Sequence, residues 1–229
     1  MKGPEARLPE IAARLAETYG VAPPPLEDLS ARDPLGGLIA TLLSQQNTAA
    51  ITRRQFAALL ERFPTWQDAL EAGERAVAAA LREAGGGLSA VKARYIVSAL
   101  RRIAADRGEL SLDFLRDLPD PEVRAYLENL PGVGMKTASC VMMFDLGRTA
   151  MPVDTHIHRI ARRLELVPAA ASAVHTERWF AEHLEAGWQA RYVFHVSAIR
   201  HGRQTCRAPR PRCGDCALFE LCPSGPLYL

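Results

Sequence analysis

The feature that most constrains this chain is its punctuation: Ala- and Leu-rich segments with few alternating β-branched runs, cut at short intervals by Pro and Gly. Apolar residues recurring every three or four positions line one face of a helix, whereas a half-buried strand needs a period of two. The pattern predicts an all-α fold. Pro23-Pro24-Pro25 separates a first helix, about Leu8 to Tyr19, from a second that opens after Asp33-Pro34 and carries Leu38, Ile39, Leu42 and Leu43 on one face. Phe56, Leu59, Leu60 and Phe63 mark a third. A helix from about Ala69 to Ala84 ends at Gly85-Gly86-Gly87, and another runs from Ser89 through Lys92 and Ile96 to about Ala105. After Pro119 and Pro121 come a short helix to Asn129, a Pro-Gly-Val-Gly hairpin and a helix from about Met135. A loop then leads to Val153-Asp154-Thr155, and two further helices precede the Cys-rich tail.

At 229 residues the chain has room for one sizeable core or two small lobes. The N-terminal segment has no continuous apolar run, and the longest uncharged stretch, Pro34 to Thr52, contains Ser44, Gln45, Gln46 and Asn47. A soluble, intracellular chain without a membrane span is expected. Cys206, Cys213, Cys216 and Cys222 fall close together at the end. In a reducing compartment such thiols are better metal or cluster ligands than disulfide partners. The net charge of +2 argues on its face against a polyanion partner, but its distribution does not. Between residues 191 and 222 stand Arg191, Arg200, Arg203, Arg207, Arg210 and Arg212 against Asp215 and Glu220, so a basic tail joins a mildly acidic body. Of 28 basic residues only Lys2, Lys92 and Lys136 are Lys.

Leu130-Pro131-Gly132-Val133-Gly134-Met135-Lys136-Thr137-Ala138 joins two helices through a turn too tight for side chains at its glycines. Its backbone N–H groups open the second helix, where the macrodipole favours a phosphate oxygen. An ordinary helix-helix turn has the same spelling. Lys136 follows in the first helical turn, where the dipole disfavours a cation and makes the neutral, nucleophilic amine accessible. Arg, which this chain otherwise prefers, cannot lose its proton and cannot form a Schiff base. Asp154 stands 18 residues later before Ile157, Ile160, Ala161 and Leu164, where it can be an N-cap, a catalyst, or both. Four thiolates in the spacing Cys206-x6-Cys213-x2-Cys216-x5-Cys222 suit tetrahedral zinc or a [4Fe-4S] cube. Cys140, among Val141, Met142 and Phe144, reads as a buried apolar residue.

The combination LPGVGMKTA, VDTHIHR and HGRQTC-x6-C-x2-C-x5-C resembles the endonuclease III family of helix-hairpin-helix DNA glycosylases, over roughly Leu35 to Cys222. The resemblance implies a bifunctional DNA glycosylase and apurinic/apyrimidinic lyase that removes oxidised pyrimidines from duplex DNA in base excision repair. It makes Lys136 the nucleophile and Asp154 the essential carboxylate. Leu130, Gly132 and Gly134 become hairpin contacts to the DNA backbone. Leu42-Leu43-Ser44-Gln45-Gln46 matches the segment whose Gln fills the vacated gap, which gives that role to Gln46, and Gly86-Gly87-Leu88 makes Leu88 a wedge in the opposite strand. The cysteine spacing matches the family's [4Fe-4S] cluster, with Arg207, Arg210 and Arg212 between its ligands as a phosphate-contacting surface. The architecture implied is a helical barrel with the hairpin, residues 27–148, and a cluster lobe, residues 1–26 plus 149–229. A DNA cleft would lie between the lobes, with Asp154 facing Lys136 across it. The partner implied is duplex DNA with damaged bases or abasic sites, bound by a cytoplasmic monomer that is nucleoid-associated if bacterial.

Departures from the family pattern bear on lesion choice. Ala49 stands at an often acidic position, Met135 where a basic residue commonly precedes the Lys, and the Gly85-Gly86-Gly87 loop is altered. Two other functions share most of these features. The adenine-mismatch glycosylase branch lacks the hairpin Lys and has Glu where Thr41 stands. A non-catalytic iron-sulfur protein that recognises distorted duplex would need neither Lys136 nor Asp154.

Overall fold

The computed structural model describes residues 3–229, which leaves Lys2 and the first residue of the 1–26 segment outside the described part. All regular structure among the described residues is helical. The elements are α1 (Pro4–Tyr19), α2 (Leu26–Ser30), α3 (Pro34–Ser44), α4 (Ala49–Arg62), α5 (Trp66–Glu83), α6 (Ser89–Arg107), α7 (Asp120–Glu128), α8 (Met135–Phe144), α9 (Thr155–Arg163), α10 (Ala173–His183) and α11 (Trp188–Gln204), with short 3-10 turns besides. The chain forms two compact units, Glu27–Leu146 and the segment up to Leu26 together with Gly147–Leu229.

In the unit Glu27–Leu146, α3 is the central element and packs against α4, α6 and α8. Asp33 starts it, its Oδ1 accepting from Leu35 N at 2.9 Å, and Pro34 presets the first helical φ. Leu35, Leu38, Ile39, Leu42 and Leu43 are then buried almost completely. Each such side chain contributes about 1.5–3 kcal/mol on leaving water. Thr48 caps α4, and Thr65 with Asp68 closes a reciprocal capping box on α5. α5 is not the single straight helix that the Ala-Leu periodicity predicts, because Gly73 at φ 77° and ψ 179° kinks it. The buried stripe of α4 also differs from the apolar reading. Gln55 and Leu59 face inward, while Leu60 is 43% exposed.

The other unit packs α11 against α1 and α9, and α10 against α9. Three helices follow Val153 where the sequence predicts two, because Ser172 and Gly187 each start a new one. The Cys-rich segment beyond Gln204 has no α-helix, only the 3-10 turns Cys213–Asp215, Phe219–Leu221 and Gly225–Tyr228.

Candidate functional site

The hairpin is tied by backbone bonds from Leu130 N to Leu127 O (3.0 Å) and Val133 N to Leu130 O (3.1 Å). Gly132 takes φ 79°, and a Cβ there would lie 2.4 Å from Cγ of Tyr95, so ring and conformation both demand glycine. The turn is not too tight for a side chain at Gly134: its φ of −100° is open to any residue and a Cβ there would meet nothing within 4 Å, so what glycine contributes is an empty surface at the start of α8. No side chain caps the N–H groups there, so they face outward as donors. Leu130 is 3% exposed, and what it can offer a ligand is therefore backbone. Lys136 is exposed in the first turn of α8, while Thr137, Ala138 and Ser139 behind it are buried. Lys136 thus stands on a helix anchored in the core. Cys140 is buried, as its apolar neighbours predict.

Gln46 and Leu88 lie in the same unit as the hairpin, and both adopt left-handed backbone, at φ 54° and 60°. For non-glycine residues that conformation costs on the order of 1–2 kcal/mol. Leu88 starts α6 and is 44% exposed despite its apolar side chain, and Gln46 is exposed in the turn after α3. Both are strained residues that no burial compensates. Gln45 reaches the hairpin, its Nε2 donating to Gly132 O at 3.3 Å. Lys92 is 1% exposed, its Nζ donating to Leu43 O at 2.8 Å at the end of α3, and burial holds its pKa below the usual lysine value. Periodicity placed Lys92 on a helix but gave no signal that it is interior.

In the other unit Asp154 caps α9, Oδ1 accepting from His156 N and Ile157 N, both at 2.9 Å. Both bonds go to one oxygen, and the side chain is half-buried. Cys206, Cys213, Cys216 and Cys222 line one cavity together with Ile160, Leu164 and His201. Burial pushes the Cys216 thiol up to about 11 and raises Cys213 and Cys222, with Cys206 adding to each. Among the described residues no three His, Cys, Asp or Glu are gathered around a single ion position.

Arginines that sequence reading missed hold this segment. Arg159 donates to Gly202 O at 2.9 Å and to Cys206 O, while Arg163 donates to Cys206 Sγ at 3.2 Å, Arg207 O at 2.7 Å and Ala208 O at 2.9 Å. From α1, Arg7 donates to Leu221 O at 2.7 Å and Arg14 to Ala217 O at 3.1 Å. Clusters of carbonyls without backbone partners were the missing signal, and only the folded tail creates them. Arg207, Arg210 and Arg212 are exposed and do none of this holding.

Residues 39–186 match the family model described as HhH-GPD superfamily base excision DNA repair protein. Endonuclease III of Escherichia coli K12 is 34% identical over 219 residues, covering 95% of each chain, and that of Treponema pallidum is 35% identical over 214, covering 93% and 94%. Among solved structures, a non-covalent endonuclease III–DNA complex superposes with a TM-score of 0.80 at 28% identity over 97% of both chains. A thermostable thymine-DNA glycosylase, 20% identical, shares the fold with a TM-score of 0.77. The chain belongs to the HhH-GPD superfamily of base excision DNA repair proteins. Within it, this is an endonuclease III-like DNA glycosylase. No helix of the described residues is long and apolar enough to cross a membrane.

Proposed function

We propose that this chain is a bifunctional glycosylase and apurinic/apyrimidinic lyase that acts on oxidised pyrimidines in duplex DNA. The observation that carries the reading is Lys136: an exposed amine in the first turn of a core-anchored helix, beside uncapped N–H groups suited to a DNA phosphate. A base inside the stack shields its own anomeric carbon, so the nucleotide must leave the helix first. Unstacking costs a few kcal/mol, least for a damaged base. The Lys136 nitrogen then attacks C1′ and gives up a proton; the C1′–N bond forms, and the glycosidic bond breaks with its electron pair leaving on the base, which gains a proton. The nitrogen lone pair then opens the C1′–O4′ bond, O4′ keeping the electron pair and taking a proton to become a hydroxyl; the imine formed acidifies the C2′ proton, and removal of that proton expels the 3′ phosphate.

The reading assigns the reaction's carboxylate to Asp154. Its Oδ1 is committed to capping α9, so Oδ2 takes the amine proton or faces positive charge on the sugar. Gln46 and Leu88 fill the gap left in the duplex, and their strained, exposed backbone supports that role. Leu130, Gly132 and Gly134 bring hairpin backbone to phosphate, and Arg207, Arg210 and Arg212 add charge.

Cys206, Cys213, Cys216 and Cys222 fit a [4Fe-4S] cluster. The donor set is wholly sulfur, the four residues line one cavity, and the spacing Cys206-x6-Cys213-x2-Cys216-x5-Cys222 is that of the family's cluster. When bound, the cluster supplies a covalent cross-link to a segment without α-helices. The test is a panel of duplexes carrying thymine glycol, dihydrouracil or an abasic site. Free base and a β-elimination nick are expected from the first two and a nick from the third; binding without release would leave only lesion recognition.

A further inference from the structure

The two strained loops are joined beneath the surface by side chains to which neither the sequence nor the comparisons give a part. Gln55 of α4 is 0% exposed. Its Nε2 donates to Gly85 O at 2.8 Å and Leu81 O at 3.3 Å, and its Oε1 accepts from Asn47 Nδ2 at 2.8 Å. Asn47 Nδ2 also donates to Leu43 O at 2.9 Å, the carbonyl that accepts from Lys92 Nζ as well. Every neighbour of Asn47 Nδ2 and Gln55 Nε2 is an acceptor, so neither amide can be flipped. Gly86 lies directly on the pair: at φ 104°, a Cβ there would fall 3.0 Å from Gln55 Nε2, 3.2 Å from Asn47 Oδ1 and 2.6 Å from Ile51 Cγ2. Arg54 adds a bond from Nε to Ala84 O. Asn47 Oδ1 itself is buried without a partner, a cost accepted to keep the amide in place.

We infer that Asn47 and Gln55 form a buried amide clasp that fixes the Gln46 turn to the Gly85–Leu88 loop, so that Gln46 and Leu88 enter the duplex as one rigid device. The inference rests on the proposed DNA reading of those two residues. Asn47 and Gln55 are positioning residues, since neither is offered to substrate. A loop free to move would spend insertion energy on ordering itself, whereas a clasped loop has that order already.

The experiment reads 2-aminopurine fluorescence beside a tetrahydrofuran abasic analogue in duplex DNA, with the full chain carrying its metal. Asn47→Ala and Gln55→Leu should each lower the fluorescence-detected opening equilibrium roughly tenfold, the factor that one buried hydrogen bond carries. The double variant should be no worse than either alone, and in a Leu88→Ala background each loss should shrink below about twofold. Thermal unfolding checks that the variants fold; Asn47→Ala, in a turn, carries the test if Gln55→Leu does not. Single variants within about twofold of wild type, losses that multiply, or equal losses without Leu88 would overturn the clasp. A wild-type chain that opens no duplex would instead end the DNA reading itself, which distinguishes the two failures.

Discussion

The hairpin-bearing unit and the cysteine-bearing tail present their functional groups by opposite means. In the first, α3, α6 and α8 bury apolar faces, and loops between the helices are fixed by interior amides and by Lys92. Strain at Gln46 and Leu88 is supported by that packing. The tail has short 3-10 turns, few buried residues beyond Leu218 and Gly225, and backbone carbonyls that arginines of α1 and α9 must satisfy. Packing and interior hydrogen bonds therefore position the first set of groups, while the second relies on borrowed donors and, on the proposed reading, on a cluster cross-link. On the proposed reading, a covalent cluster takes the place of a core in the tail.

The largest expected effect breaks that contrast directly. Cys213→Ser should abolish iron binding and destabilise the tail by several kcal/mol, the scale of structural metal sites, so that protease cuts residues 205–229 and spares 27–146. Equal protection of both regions without iron would show that the arginines suffice. On the other side, Gly132→Ala should cost about 1–3 kcal/mol from positive φ and the clash with Tyr95, read as a lower unfolding midpoint and weaker DNA binding.

A smaller effect concerns Asp145, 9% exposed beside Arg32 and Asp33. Burial pushes its carboxyl up to about 7, Arg32 opposing and Asp33 adding. The folded chain then holds a proton that the unfolded carboxylate, near 4, has released. That contribution is full below about pH 4 and lost as pH rises through 7. Wild type should lose several degrees more in unfolding midpoint between pH 5 and 8 than Asp145→Asn, in calorimetry of the two side by side. The smallest change is expected from Arg207→Ala, Arg210→Ala and Arg212→Ala, each reducing the slope of log affinity against log salt by about 0.9 without changing lesion preference.

Much of the fold was legible because its signals are local. Asp33-Pro34, the hairpin and Asp154 announce helix starts through caps and φ preferences that need no distant partner. What stayed hidden is tertiary. Gln55 breaks the apolar stripe of α4, yet it is the residue turned inward, because its partners come from the Asn47 turn and from α5. Lys92 reads as a surface charge until the end of α3 lies against it. Gly73 sits within an Ala-rich helical period whose register conceals a kink. Arg159 and Arg163 look like ordinary cations of α9, and only the folded tail reveals their carbonyl partners. At the candidate site, Lys136 and the four cysteines were visible as motifs, whereas the strain at Gln46 and Leu88 was not, since φ cannot be read from residue type.

The central claim is that Lys136 forms the covalent bond to the sugar. Borohydride added during reaction with thymine glycol duplex should trap wild-type chain on DNA as a species that survives denaturing gels. Lys136→Gln should give none while still binding the duplex. Trapping that persists in Lys136→Gln, or a wild-type chain that releases base without ever being trapped, would contradict the claim.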